Sequence, residues 1–387
     1  MCGDKPAYEK QKKKHTHTQS ETRPAMEPFV TGHADLIHDV AYDYYGRHLA
    51  TCSSDQHIRV FGKSPDSVSW QLQSIFKAHD AQVFSISFAP PQYGLLIASA
   101  SSDQNVRLHV SDDDGVTFKR IANLADSNGS VTNVSFAKHL SHGLKLACIG
   151  TDGVARVYHA ADPSDLKLWH LAFEQRVDDA AQVGRDLQGD FALDWCPAGF
   201  LAVPVFEDGT GVVNGNEDQD DDELPRVDRL AIQEKQVEQF VASAGTTAVV
   251  FRKQQDVGPY AFEPKERLDG HGDIIHDVAW ALNARVNGRY ELIATACKDG
   301  FVRIYQLSLK RPASKNGDDS DDVGYDVRLL NQFDDHKNEV WKVSWNSDGT
   351  ILSSSGDDGY VRFWKQSYKG EFVCIKAVSS EPSNGDE

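Results

Sequence analysis

Short runs of alternating apolar and polar residues, separated by clusters of Gly, Asp and Ser, recur along the chain and predict β-strands joined by tight turns. From Ala50 to Phe61, ATCSSDQHIRVF, small residues lead into an aspartate turn and out through alternating apolar residues to an aromatic, which is the pattern of a β-hairpin. The same frame returns as ASASSDQNVRLH from Ala98, ACIGTDGVARVY from Ala147, ATACKDGFVRIY from Ala294 and SSSGDDGYVRFW from Ser353. The turn aspartates Asp55, Asp103, Asp152, Asp299 and Asp358 are each followed four residues later by an arginine, Arg59, Arg107, Arg156, Arg303 and Arg362. Two residues further on stand Phe61, His109, Tyr158, Tyr305 and Trp364. Upstream of four copies lies a histidine with a short alternating strand: His33 with LIHDVAY, His79 with VFSISF, His271 with IIHDVAW and His336 with VWKVSW. The third copy keeps VTNVSF without its histidine, and a sixth, FVASAGTTAVVF from Phe240, has Gly245 where the aspartate belongs.

A unit repeated six times must be read as one architecture, because a single hairpin cannot bury its own apolar face. The pattern resembles the WD-repeat family, whose repeats of about 40 to 45 residues each form a four-stranded blade. The resemblance spans roughly residues 30 to 378 and implies an all-β, six-bladed β-propeller. Its blades fall at about 33–76, 79–124, 130–173, 190–263, 271–309 and 336–378. An acidic insertion at 207–238, containing EDQDDDE from Glu217, and a loop insertion at 311–325 carry too little apolar surface to enter a core. Residues 1–28, with Lys10, Lys12, Lys13, Lys14, His15 and His17, and residues 379–387 read as solvated tails.

The repeated His and Asp residues are types that elsewhere build a general base and its orienting carboxylate. An active site needs one constellation, whereas here the pair recurs about once per blade, so a structural role in every blade is the economical reading. The resemblance implies that the histidine, the turn aspartate, a hydroxyl and the third-strand aromatic form a buried hydrogen-bond network. That role falls on His33, Asp55, His79, Asp103, Asp152, His271, Asp299, His336, Asp358 and Trp364. His109 then packs in the aromatic place, and the fourth blade lacks the network. His38 and His276, equivalent residues of DLIHDV and DIIHDV, are repeat residues and not metal ligands. No catalytic residue, cofactor site or metal site is expected, since neither a nucleophile elbow nor a phosphate-cradling GxxxxGK[ST] loop occurs.

Composition narrows the partners. A formal charge of −18 over 387 residues argues against direct binding to nucleic acid. Neither a membrane-spanning apolar stretch nor an apolar signal region is present, so a soluble intracellular chain without membrane insertion is expected. Six cysteines, Cys2, Cys52, Cys148, Cys196, Cys297 and Cys374, show no zinc-binding spacing and suit a reducing compartment.

Most propellers share a strand between their first and last blades. Here the first blade reads as IHDVAY, HLATCS, IRVF and WQLQSIF, and the last as VWKVSW, TILSSS, VRFW and EFVCIKAV, so each owns four strands and the ring is left open. Bare faces at the seam invite strand addition by a partner. Beyond the generic repeat, HADLIHDV, LATCSSD, GLKLACIGTDG with ADPSDLKLW, LIATACKDGFVRIY and GTILSSSGDDGYVRFWK resemble the Seh-type nucleoporins.

That resemblance implies a structural subunit of the Y-shaped outer-ring complex of the nuclear pore, supporting mRNA and protein transport. An α-helical scaffold nucleoporin would complete the propeller by inserting a blade in trans, beside other subunits of the complex. A second setting is a coat-like complex at the vacuolar or lysosomal membrane that regulates TOR signalling. The seam candidates are Ile37, Val40 and Tyr42 in the first blade and Trp341, Val343 and Trp345 in the last. Competing readings are the sister propeller of the vesicle-coat cage and, more distantly, a ubiquitin-ligase substrate receptor.

Overall fold

The computed structural model describes residues 29–63, 69–138, 143–162, 164–178, 191–197, 200–206, 230–254, 261–282, 290–310 and 324–379; for 200–206 and 230–236 only the strand backbone is described. Most of the expected tails and insertions therefore lie outside the described residues. Residues 33–387 form one compact unit and residues 1–32 another, of which residues 29–32 are described and carry no strand.

The larger unit contains six four-stranded antiparallel sheets. Blade one is β1 (Ile37–Tyr42), β2 (His48–Ser53), β3 (His57–Lys63) and β4 (Trp70–Lys77). Blade two is β5 (Val83–Phe88), β6 (Leu95–Ser101), β7 (Val106–Ser111) and β8 (Lys119–Leu124). Blade three is β9 (Val131–Phe136), β10 (Lys145–Gly150), β11 (Val154–Asp162) and β12 (Asp165–Arg176). Blade four begins with β13 (Phe191–Trp195), leaves the sheet for a separate hairpin of β14 (Phe200–Phe206) and β15 (Leu230–Gln236), and resumes with β16 (Gln239–Ala244), β17 (Thr247–Lys253) and β18 (Phe262–Leu268). Blade five is β19 (Ile275–Trp280), β20 (Tyr290–Cys297), β21 (Val302–Leu309) and β22 (Tyr325–Phe333). Blade six is β23 (Val340–Trp345), β24 (Ile351–Gly356), β25 (Tyr360–Gln366) and β26 (Phe372–Ser379).

Several boundaries differ from the expectation: β12 carries blade three to Arg176 and β18 carries blade four to Leu268, past the expected 173 and 263. Residues 230–236, assigned to the acidic insertion, form β15, paired from Phe200↔Gln236 to Phe206↔Leu230. Blade five, expected to end at residue 309, gains its fourth strand, β22, beyond the 311–323 segment. Outermost strands are half exposed, and YDVRLLNQF accordingly shows little alternation to read.

The turn between the second and third strands explains the repeated hairpin signature. The residue after the turn aspartate is left-handed in all five copies: Gln56 (φ 72°), Gln104 (70°), Gly153 (71°), Gly300 (85°) and Gly359 (72°). Glycine takes that conformation freely, while the two glutamines do so at a cost that the surrounding hydrogen bonds must outweigh. Blade four turns directly from Ala244 to Thr247 through left-handed Gly245, which leaves no place for an aspartate.

Apolar cores form between blades. One cluster joins blades one and two through Cys52, Ile58, Val60, Val83 and Ile86. Others join two to three, three to four, four to five and five to six. Among the described residues no such cluster joins blade six to blade one. The first strands of all six blades line a central cavity of about 850 Å³.

Candidate functional site: the seam between the first and last blades

The recurring histidines sit in closed hydrogen-bond networks. A carboxylate only accepts, so the histidine Nδ1 carries the proton and donates, while a hydroxyl donates to Nε2. His33 donates to Asp55 at 2.8 Å and accepts from Thr51 at 2.8 Å. His79 donates to Asp103 at 3.0 Å and accepts from Ser99 at 2.8 Å. In blade six the chain is longest: His336 donates to Asp358 at 2.9 Å, Ser354 donates to His336 at 2.8 Å, and the Trp364 indole donates to Ser354 at 2.9 Å. Each network ties the entry to a blade to its second strand and the turn that follows, and in blade six to the third strand as well, which is a structural task.

Among the described residues blade four has no such network, and two more blades depart from the scheme. In blade five His271 Nε2 still bonds the Thr295 hydroxyl at 2.9 Å, but Asp299 turns to Arg303, whose guanidinium donates to it at 2.7 and 3.1 Å. Burial alone would raise the Asp299 carboxyl; Arg303 and the backbone N–H of Gly272 instead draw it down to about 2. In blade three Asp152 is held by Arg156 at 2.7 Å and by the backbone of Asn128 and Val154.

A second repeated device lies on the inner rim, where a side chain of one blade's first strand bonds the main chain of the next. Asp39 accepts from the N–H of Ile86 at 3.1 Å, and Ser87 accepts from Phe136 at 3.1 Å. Thr132 donates to the carbonyl of Phe191 at 2.9 Å. Asp194 accepts from Trp280 at 2.9 Å, and Asp277 accepts from Val343 at 3.1 Å. These side chains stitch blade one to two and onward to six. The residue of blade six in register with Asp39 and Asp277 is Lys342. An ammonium has no acceptor, so it cannot take a main-chain N–H of the next blade as Asp39 and Asp277 do. Its Nζ lies 3.5 Å from Asp39 and 3.6 Å from Asp277. Burial pushes the Asp277 carboxyl up to about 6, against the pull of Lys342.

The alternation of the first strands defines two walls. A bulge after the strand's first residue sets Ile275, Val278 and Trp280 together against blade four, while Ala279 packs toward blade six. By the same register Ile37, Val40 and Tyr42 face away from blade two, toward the seam, and Ala41 packs into the core with blade two. Exposure agrees. Val40 is 49% and Tyr42 58% exposed, whereas Val278 and Trp280 are 3% and 2%. Ile37, at 42%, corresponds to fully buried Ile275 and Val340.

Blade six corrects the expectation. Val343 is 2% exposed and, with Val340, lies in the core shared with blade five. The Trp345 indole donates to the carbonyl of Ala279 at 3.1 Å, and Trp341 stacks on His276 with ring centroids 4.1 Å apart, so these side chains also engage blade five. The reason is geometric. The walls of one gap come from opposite faces of equivalent strands, so the apolar face that borders the seam in blade one borders blade five in blade six. The wall that blade six turns to the seam carries Lys342, Ser344, Ser353 and Ser355, and further out the half-buried Val361 and Phe363. Ser353 and Ser355 stand where blades one and five bury Ala50 and Cys52, and Ala294 and Ala296.

The remaining candidates are accounted for within blades. His38 bonds Ser54 at 2.6 Å and meets Phe84 edge-on, and burial lowers its pKa. Cys52, Cys148, Cys196 and Cys297 are buried free thiols, Cys374 is exposed, and Cys2 lies outside the described residues. Burial pushes the Cys148 thiol up to about 12 and Cys297 to about 11. Among the described residues no group of three or more His, Cys, Asp or Glu is placed to hold a metal ion, and no helix is long and apolar enough to cross a membrane.

Six sheets in a ring, held by repeated His–Asp–hydroxyl networks, define a WD-repeat β-propeller. A family profile described as "WD domain, G-beta repeat" matches residues 26–62, 70–109, 262–306 and 327–365. Nucleoporin SEH1 of Saccharomyces cerevisiae is 38% identical, the alignment covering 92% of this chain and 100% of that protein. Nucleoporin seh1 of Schizosaccharomyces pombe is 32% identical over 91% of this chain and 95% of its own length. For nucleoporin SEH1 of Homo sapiens the values are 31%, 91% and 88%. The chain belongs to the SEH1 nucleoporin family.

Proposed function

We propose that this chain is a non-catalytic structural subunit of the nuclear pore complex, and that its seam between blades one and six receives strands from a scaffold nucleoporin of the Y-shaped outer ring. The observation that carries the reading is the contrast at two register positions of the first strand. Val40 and Tyr42 are about half exposed, while their counterparts in blades three and five, Val134 and Phe136, Val278 and Trp280, are 3% exposed or less. A partner sheet laid on Ile37, Val40, Tyr42 and Ile75 would bury them as the other interblade cores are buried. The names of the relatives place those proteins among the nucleoporins, which supports the nuclear pore as the setting and transport of mRNA and protein as the process served. The same seam would serve in a TOR-regulating coat-like complex, holding the chain at the vacuolar membrane through its partner.

The test is affinity purification of the full chain from its own cells under native salt, beside the Val40→Asp variant and a Leu168→Asp control on exposed β12. The wild type and the control are expected to bring down a stoichiometric nuclear pore scaffold protein, and Val40→Asp to lose it. Retention of that protein by a folded Val40→Asp chain overturns the seam as the docking site.

A further inference from the structure

We infer that Lys342 is the positioning residue of the seam: it latches the last blade to the first across the gap by an ion pair with Asp39, in the place where every other junction has a side-chain bond to the main chain. The inference goes beyond the proposed docking role, because it concerns the ring itself and holds whether or not a partner enters.

Three observations carry it. The first is the register. Asp39, Asp277 and Lys342 follow the bulge at the start of β1, β19 and β23, so the carboxylate that accepts from the next blade in β1 and β19 is replaced in β23 by an ammonium donor. The second is the bond that replaces the stitch. Asp39 holds blade two through Oδ2, which accepts from Ser85 and Ile86 at 3.1 Å, while Oδ1 accepts from the backbone N–H of Val40 at 3.0 Å and also faces Lys342 from across the seam. One carboxylate thus joins blade two on one side and blade six on the other, while Asp277 anchors Lys342 from blade five. Burial would lower the Lys342 pKa, but Asp277 and Asp39 more than offset it and hold the ammonium above the ordinary lysine range.

The third observation is that the latch is weak by construction. At 3.5 and 3.6 Å its contacts are longer than the roughly 2.7–2.9 Å of a charge-assisted hydrogen bond. The Lys342 side chain is 48% exposed to the central cavity, so water and salt compete for it. A main-chain stitch is fixed by the strand. A lysine ion pair breaks and reforms with its long side chain, so the aperture between β1 and β23 can open while the other five junctions stay closed. If the seam is the docking site, the opening frequency of this latch governs entry.

Hydrogen exchange of the isolated full chain tests the latch without any partner. Lys342→Met, which keeps the stem and removes the charge, is expected to raise exchange in β1 and β23 about two- to fivefold, the range that a half-exposed pair supports. β10 in blade three should be unchanged. Wild type in high salt should show the same local increase, and Lys342→Arg should restore the wild-type pattern. Exchange in β1 and β23 that is identical in Lys342→Met and wild type overturns the latch, as does an increase spread evenly over all blades. A docking failure is read separately, in the purification with Val40→Asp, so either idea can fall alone.

Discussion

The imidazole of His109 lies against the ring of Phe76 across the junction of blades one and two, with centroids 4.9 Å apart. His109 is 3% exposed and fills the place held by Tyr158, Tyr305 or Trp364 in other blades. Burial first, with His79 and Arg107 adding, lowers its pKa to about 3; burial and Arg303 lower His271 to about 4. Both folded values lie below the 6.5 of an unperturbed histidine, so the unfolded chain binds these protons more readily. The neutral rings therefore contribute stability that is complete above pH 6.5 and is lost as the pH falls toward 4 and then 3. Urea midpoints at pH 7.5, 6, 5 and 4.5 should decline, and His109→Phe should decline less. An equal slope in the variant refutes the assignment to His109.

The turn aspartates should not behave alike. Asp103→Ala strips fully buried His79 of its acceptor and should cost about 1–3 kcal/mol, the desolvation cost of an unpaired buried group. Asp299→Ala leaves the Arg303 guanidinium, 3% exposed, without its principal carboxylate, and a stranded buried charge costs about 3–5 kcal/mol. Chemical denaturation of the two variants should rank Asp299→Ala as the less stable. The reverse order would show that Gln332, which bonds Arg303 at 3.2 Å, suffices to hold it.

Blade four lacks the His–Asp network and is instead tied to its neighbours by buried ionic groups. Lys145 of blade three donates to Glu238, and Arg252 pairs with Glu266 at 2.9 Å, which in turn accepts from the backbone N–H of Tyr325 in blade five. Lys145 is 2% and Glu238 7% exposed. Glu238→Gln should therefore cost about 3 kcal/mol or more, and a Lys145→Met, Glu238→Gln double variant should recover part of it, since it no longer strands buried Lys145, while the more exposed Lys253, 3.4 Å from Glu238, still loses its carboxylate. Additive losses measured by denaturation would show that the two residues are not coupled.

What was legible in the chain was whatever repeats. The hairpin frame, the turn aspartates and the four-strand count of the terminal blades are local patterns written several times, so they locate His33, Asp55, His336 and Asp358 and imply the open ring. The walls of the seam were legible only in part. Strict alternation would separate Ile37 from Val40 and Tyr42, and only the bulge brings them to one face. The apolar side chains of the two terminal strands lie on equivalent faces, but the two walls of the seam are opposite faces, so Val343, Trp341 and Trp345 border blade five. The stitch was missed although its signal is present: HDV in β1 and β19 becomes WKV in β23. A single change from acceptor to donor has no meaning until the register shows what it faces.

Val40 and Val343 occupy the same position of the repeat, and one substitution in each should have opposite consequences. Val343 is 2% exposed within the core that unites blades five and six, beside Leu352 and Trp364. An aspartate there must desolvate a carboxylate among apolar side chains and vacate their packing, so Val343→Asp should lower stability by several kcal/mol, on the order of 3 or more. Val40 is 49% exposed on the seam wall, where an aspartate keeps its water, so Val40→Asp should leave the stability within about 0.5 kcal/mol of wild type. Its effect should fall on the partner: a folded Val40→Asp chain should fail to retain the scaffold protein, whereas Val343→Asp should lose it only as far as it unfolds. Thermal denaturation and co-purification on the same two variants decide the matter. Equal destabilisation of both would mean that the Val40 wall is already covered in the free chain, leaving no apolar face for a partner to bury.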